Sequence, residues 1–353
     1  MIRVNLDTLR KKRVRITQLD GKLPNLALMK LSHWHKSKGD EVYFTRSARK
    51  EVFENDYDVV YGSTIFQFSE KKQQTFLSEF PNAIVGGTGT ENKTKVEDII
   101  NLERYEYFDY DLYPDYNNSI GFSQRGCRLA CKFCVVPKKE GKNKGNSGIH
   151  DIWRGDPYPK NIVLLDNDFF GQPNWQEKAK EMINGKFKIN FSQGINIRLI
   201  DEESCEILPH INYRDTKFKT KRIYTAWDNL GDEKIFMKGV ERLTKHGVPT
   251  SHLMVYMLIG FKKGETMEDI LYRFNKLKDL KCMPYPMVYD RNNKELKKFA
   301  RWVISRQHSF VDWEDYSQEN RNKFYRDQKG SEDQMDLFHN NCVVSALSGT
   351  GDT

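Results

Sequence analysis

Cys127, Cys131 and Cys134 fall in the run Cys127-Arg-Leu-Ala-Cys131-Lys-Phe-Cys134, so one short loop can present three thiolates to one inorganic centre. Three thiolates can hold three corners of a cubane iron–sulfur cluster and leave the fourth iron open to a ligand the protein does not supply. Clusters that only carry electrons usually have four cysteine ligands. An open metal position marks a catalytic site, as it does for zinc. No fourth cysteine lies nearby, the next being Cys205. The competing account is a zinc knot or a chance grouping of thiols. Structural zinc wants four ligands, usually from C-x2-C pairs with further Cys or His elsewhere, and this spacing does not match that.

The run resembles the signature of the radical S-adenosylmethionine (radical SAM) superfamily, C-x3-C-x2-C with an aromatic residue just before the third cysteine. Phe133 takes that place, and Gly126 before the run and Val135-Val136-Pro137 after it are family-like. The resemblance implies a 4Fe–4S cluster on Cys127, Cys131 and Cys134. Its open iron would take the amino and carboxylate groups of SAM, and one electron passed to the sulfonium would release a 5′-deoxyadenosyl radical. A sulfonium is reduced only by a low-potential donor, and an all-thiolate, partly desolvated cluster reaches the low end of the cluster range. An external electron donor such as flavodoxin or ferredoxin is implied as a partner.

The elements that must position this loop can be read along the 353 residues, a length that suggests two domains or one barrel with an appendage. Lys12–Thr17, Glu41–Phe44, Tyr57–Tyr61 and Asn82–Val85 read as strands, with an amphipathic helix over 25–37. Strands alternating with helices imply a parallel sheet, with ligands bound beyond the strands' carboxyl ends. We therefore expect a Rossmann-like α/β domain over 1–110, resembling the cobalamin-binding-type domain that precedes many radical SAM barrels. Its cobalamin-ligating motif, D-x-H-x-x-G, is missing: Asp20-Gly21-Lys22-Leu23-Pro24 stands there, and His33 and His35 fall inside the helix. Loss of cobalamin is the favoured expectation, with cobalamin bound without a protein ligand as the alternative.

From 111 to 290 the pattern becomes repeated strand-then-helix units, each strand closing in polar or glycine residues. This fits the superfamily's partial (β/α)6 TIM-like barrel, whose sites lie where the strands' carboxyl ends converge. The fold class expected is thus α/β, a partial barrel preceded by a small Rossmann-like domain. Residues 291–328 read as a helical appendage, with Leu296, Phe299, Ala300, Val303 and Ile304 along one stripe. Residues 329–353 read as a flexible tail.

Candidate cofactor-binding residues lie at those strand ends. Asp166 and Asn167 close the second barrel strand, where the resemblance implies a receiver for the methionine amino group. A turn or cap role suits them equally. Gln193 and Arg198, with Gly194 and Asn196, follow the third strand and could reach the ribose hydroxyls and the SAM carboxylate. Asp228 closes the fourth beside Trp227. Gly260 and Gly264, in Gly260-Phe-Lys-Lys-Gly264-Glu265-Thr266, resemble a turn found beside the adenine in many radical SAM proteins. Glu265 and Thr266 could equally cap the next helix.

Composition narrows the class. The net charge is +8 and the charged fraction 30%, which invites a nucleotide or nucleic-acid substrate while also suiting a plain solvated surface. Three basic stretches, 137–148, 214–222 and 321–326, could form a track for such a partner or stand as separate loops. No stretch approaches the ~18 apolar residues of a membrane helix, the N-terminus lacks a signal-peptide core, and six cysteines make no disulfide framework. Free thiols and an oxygen-sensitive cluster imply a cytoplasmic protein with no membrane partner. The tRNA methylthiotransferases resemble the chain around Cys134-Val-Val-Pro but carry a second cluster on N-terminal cysteines. No cysteine precedes Cys127, which disfavours sulfur insertion. The expected function is radical generation from SAM for an unidentified substrate. Cobalamin-assisted methyl transfer, and a non-catalytic iron–sulfur protein that binds nucleic acid, are the alternatives.

Overall fold

A computed structural model of the chain describes residues 10–92, 94–103, 105–145 and 147–317. The expectations for 329–353, for the end of 291–328 and for the basic stretch 321–326 lie outside the described residues. The chain divides into two compact units, with the division between Asn117 and Asn118.

In the first unit β1 (Arg13–Gln18), β2 (Glu41–Thr45), β3 (Val59–Ser63) and β4 (Ile84–Gly86) form a parallel sheet in the order β2-β1-β3-β4. Alternation along β1 sends Val14 and Ile16 to one face, where they meet Leu28 and Leu31 of α1 (Leu26–Ser37). That helix begins where the Asn25 side chain accepts the Leu28 N–H at 3.2 Å. Arg15 lies between Val14 and Ile16, is fully buried, pairs with Glu54 and lies over the Phe80 ring. Asp20 after β1 accepts the N–H groups of Ile65 and Phe66 at 2.7 and 3.0 Å, tying two strand ends together. The glycines after β4 are explained by packing. Gly87 has φ 112°, and a Cβ there would stand 2.1 Å from the Thr64 carbonyl oxygen.

In the second unit β5 (Ser119–Gly121), β6 (Asn161–Leu164), β7 (Lys188–Phe191) and the two-residue β8 (Asn212–Tyr213) form one parallel sheet. A second parallel sheet contains β9 (Ile223–Ala226), β10 (Leu253–Ile259) and β11 (Met283–Val288). The chain leaving β7 rests on β9: Ile195 N–H donates to the Tyr224 carbonyl at 2.8 Å. Between strands run α3 (Trp175–Asn184), α4 (Glu202–Ile207), α5 (Glu233–Lys245) and α6 (Met267–Asp279), and α7 (Lys294–Ile304) follows β11. Every residue of β10 is buried, as expected of a parallel strand covered on both faces. On one face Val255, Met257 and Ile259 join the core with Phe236 and Val240 of α5, Phe274 of α6 and Phe299 of α7. On the other, Tyr224, Met254 and Tyr256 pack together with Ala226, Met283, Tyr285 and Met287. α7 packs into the same core as the strands, so the appendage that starts at 291 is continuous with the second unit.

Candidate active site

The cysteine loop leaves β5 and is held by residues of the next strand end. Asp166 is fully buried and its carboxylate accepts the N–H of Ser123 at 2.7 Å, the N–H of Gln124 at 3.1 Å and the Ser123 hydroxyl. Burial pushes its pKa up to about 7, against the pull of those donors. Asp168, 1% exposed, takes Arg128 on both oxygens: Nε at 2.7 Å and Nη2 at 3.0 Å, with the Arg128 N–H at 3.2 Å and Asn143 Nδ2 at 3.0 Å. Arg128 is the residue after Cys127, so this bidentate pair fixes the start of the loop. Glu140, beyond the loop, ties back to its start, accepting Gly126 N–H at 3.0 Å and pairing with Arg125, and it also accepts Asn167 Nδ2 at 3.2 Å. Gly126 has φ 83°, and a Cβ there would stand 2.3 Å from the Lys142 carbonyl oxygen. Only glycine lets the loop close this tightly.

Cys127, Cys131 and Cys134 are half-buried and free, and all three line one cavity. Burial pushes the Cys127 thiol up to about 11 and raises that of Cys134, and the neighbouring thiols add to both shifts. Leu129 N–H donates to Cys127 Sγ at 3.4 Å, and Arg198 Nη2 donates to Cys131 Sγ at 3.8 Å. Among the described residues no trio of His, Cys, Asp or Glu stands as a ligand set for a single metal ion. A cubane does not ask for one, because each thiolate binds a different iron atom. The cavity wall continues through Phe133, Asn167, Gln193, Asn196, Arg198, Thr225, Ala226 and Asp228.

Known proteins bear on this arrangement. No family model matches the chain. A tRNA-2-methylthio-N(6)-dimethylallyladenosine synthase from Sulfurihydrogenibium sp. (strain YO3AOP1) is 27% identical over 175 residues, which cover 44% of this chain and 39% of that protein. The chain thus spans about two fifths of the length of this curated relative. Among solved structures, the apo, selenomethionine-labelled cobalamin-dependent S-adenosylmethionine radical enzyme OxsB matches at a TM-score of 0.50 and 10% identity, covering 85% of this chain and 56% of its own. That likeness is one of fold. Both likenesses support the radical SAM resemblance carried by Cys127, Cys131 and Cys134.

Of the residues that the radical SAM resemblance singles out, Phe133, Asn167, Gln193, Arg198 and Asp228 meet the three cysteines around one cavity. Asp166 does not: its carboxylate is spent on Ser123 and Gln124, behind the loop. Gly260 and Gly264 are not among the lining residues either. Gly260 N–H donates to Glu265 Oε2 at 2.7 Å, and a Cβ on Gly260 would stand 2.4 Å from Leu296 Cδ1. Glu265 pairs with the fully buried Arg273, and Thr266 caps α6 by exchanging hydrogen bonds with Asp269. The turn docks the helix, and its Phe261 ring meets Phe133 of the cavity wall edge-on at 5.3 Å.

Asp228 is half-buried and accepts the Leu258 N–H at 3.3 Å; desolvation pushes its pKa up to about 6 against the nearby Arg198. Sequence reasoning missed Thr225, 1% exposed and among the lining residues, whose hydroxyl has no hydrogen-bond partner. The signal available was a lone hydroxyl in the apolar strand Ile223–Ala226. Residues 137–148, read as a flexible basic loop, instead carry a helical turn at Val136–Lys139 and a short antiparallel pairing of Lys144–Gly145 with Gln124–Arg125.

Proposed function

We propose that the chain binds a 4Fe–4S cluster on Cys127, Cys131 and Cys134, takes SAM in the cavity they line, and modifies a nucleotide or nucleic acid. The observation that carries this reading is the meeting of three half-buried thiols with Gln193, Arg198, Thr225 and Asp228 around one cavity. The donor set suits the group. All three donors are soft thiols, which select iron–sulfur clusters. We further read β5, β6, β7, β9, β10 and β11 as the partial (β/α)6 barrel, with the Rossmann-like domain over 1–110 before it.

A cluster held by Cys127, Cys131 and Cys134 would supply the low-potential electron that reductive cleavage of a sulfonium needs, and so radical chemistry on a substrate. The chain's own residues do the rest. Asp168 and Glu140 hold the start of the cysteine loop from two sides, through Arg128 and Gly126, so Cys127 is positioned before anything binds. Gln193 and Asn196 offer amide groups for the polar edges of SAM. Phe133 and Ile197 add apolar wall that keeps water from the reacting atoms.

The nucleic-acid reading draws on the net charge of +8 and on the tRNA named in the curated relative's title. A cobalamin partner is less well served. His35 is held between Asp40 and Tyr61 and His33 by Tyr105, so neither helix imidazole of the first unit is offered to a metal. Anaerobic reconstitution tests the main reading. The iron-loaded protein should form 5′-deoxyadenosine from SAM and dithionite, and a Cys127→Ala/Cys131→Ala/Cys134→Ala variant should not. Zinc in place of iron, or a loaded cluster that leaves SAM intact, would refute it, and the visible spectrum of the purified protein reports any cobalamin.

A further inference from the structure

Arg198 occupies a position that the binding of SAM does not explain. Its guanidinium is divided between two partners inside the protein. Nη1 donates to Asp232 Oδ2 at 3.0 Å and Nη2 to Cys131 Sγ at 3.8 Å. Asp232 is itself fixed by Asn229 Nδ2 at 2.8 Å, so the arginine is aimed at the sulfur from a braced carboxylate. Two other guanidinium groups beside the loop are bound by carboxylates instead, Arg128 by Asp168 and Arg125 by Glu140. The Arg198 side chain is only 23% exposed, and charges act more strongly where water is thinned out.

The geometry points to Arg198 as a positioning residue that sets the reduction potential of the cluster through the Cys131 sulfur, with Asp232 as its counterweight. This rests on the proposed cluster at Cys127, Cys131 and Cys134. Hydrogen bonds to the sulfurs and local net charge both tune iron–sulfur potentials, and partners beyond the direct ligands tune a metal site. Reduction adds one electron, delivered by an external low-potential donor of the flavodoxin or ferredoxin class, and makes the centre more negative. A cation touching one thiolate stabilises the reduced form more than the oxidised form, so Arg198 raises the potential. Asp232 offsets part of that charge and lowers it. The two side chains therefore pull in opposite directions, which a purely structural strut would not do.

The test is a potentiometric titration of the reconstituted full-length chain, followed by electron paramagnetic resonance, with SAM affinity and thermal midpoint measured beside it. Arg198→Gln should make reduction about tenfold less favourable, a fall of about 59 mV for one electron. Asp232→Asn should shift the potential the other way, and Arg198→Lys should fall between wild type and Arg198→Gln. Unchanged potentials with weakened SAM binding in Arg198→Gln would overturn the assignment and make Arg198 the receiver of the SAM carboxylate. Shifts of the same sign in both variants, or iron loss in both, would overturn it in favour of a structural strut. A wild-type chain that loads no iron would sink the underlying cluster reading instead, and is told apart by iron analysis before any titration.

Discussion

Removing one charge behind the cysteine loop should unfasten it. Asp168→Asn keeps the shape of the side chain, yet it takes the carboxylate from a group that is 1% exposed and accepts from the Arg128 N–H, Nε and Nη2 and from Asn143 Nδ2. Breaking a buried ion pair by removing one partner costs about 3–5 kcal/mol. The Arg128 side chain is 37% exposed and regains some water, which lowers the expected loss to about 2–3 kcal/mol. At roughly 2–4 °C per kcal/mol for a unit of this size, the thermal midpoint should fall by about 5–10 °C. Because Arg128 adjoins Cys127, iron bound per chain after anaerobic reconstitution should fall as well, while far-ultraviolet circular dichroism stays near wild type. Gly171→Ala attacks the same point from outside, since its Cβ would stand 2.1 Å from Asp168 Oδ2 and 2.3 Å from Arg128 Nε, and should give the same pair of losses. If Asp168→Asn melts within a degree of wild type and binds a full complement of iron, the anchor is not what positions the loop.

Two further outcomes follow from buried charge. Asp166 has its pKa raised to about 7 by burial against roughly 3.9 in an unfolded chain. Below that value it is protonated in the folded state, and its contribution is fully present below about pH 4 and lost as pH rises through 7, on the order of 4 kcal/mol in all. Urea unfolding between pH 4.5 and 7.5 should show this slope in wild type and its absence in Asp166→Asn; parallel curves would contradict it. Glu265→Gln leaves the fully buried Arg273 guanidinium, held at 2.6 Å by that carboxylate, without a counter-charge, and urea unfolding should report a loss of about 3–5 kcal/mol. The double variant Glu265→Leu/Arg273→Met should recover most of it, and a double variant no better than the single would count against the pairing.

Much of the strand pattern was legible in the sequence because parallel strands buried on both faces read as apolar runs. Leu253–Ile259 and Ile223–Ala226 are of this kind. The helical stripe of Leu296, Phe299, Ala300 and Val303 is buried, and Trp302 joins it because its indole N–H finds the Val311 carbonyl. What periodicity could not convey is the direction of side chains past a strand end. Asp166 and Asp168 stand beside Asn167, yet both carboxylates turn to the cysteine loop while Asn167 lines the cavity. The roles of Gly260 and Gly87 were hidden for a related reason. Each is required by a neighbour distant in sequence, Leu296 in one case and Thr64 in the other. Thr225 was missed because a hydroxyl inside an apolar strand carries no local sign of standing unpaired.

The anchoring of the thiol loop by Asp166 and Asp168 has a consequence for how the protein matures. Both carboxylates arrive with the segment after β6, some forty residues downstream of the loop residues they hold, with sequence separations of 43 and 40. A nascent chain that has emerged only as far as Cys134 lacks the clamps that shape the loop. On the proposed cluster reading, iron would be delivered after the strands have assembled, the reverse of small zinc domains in which the metal drives folding.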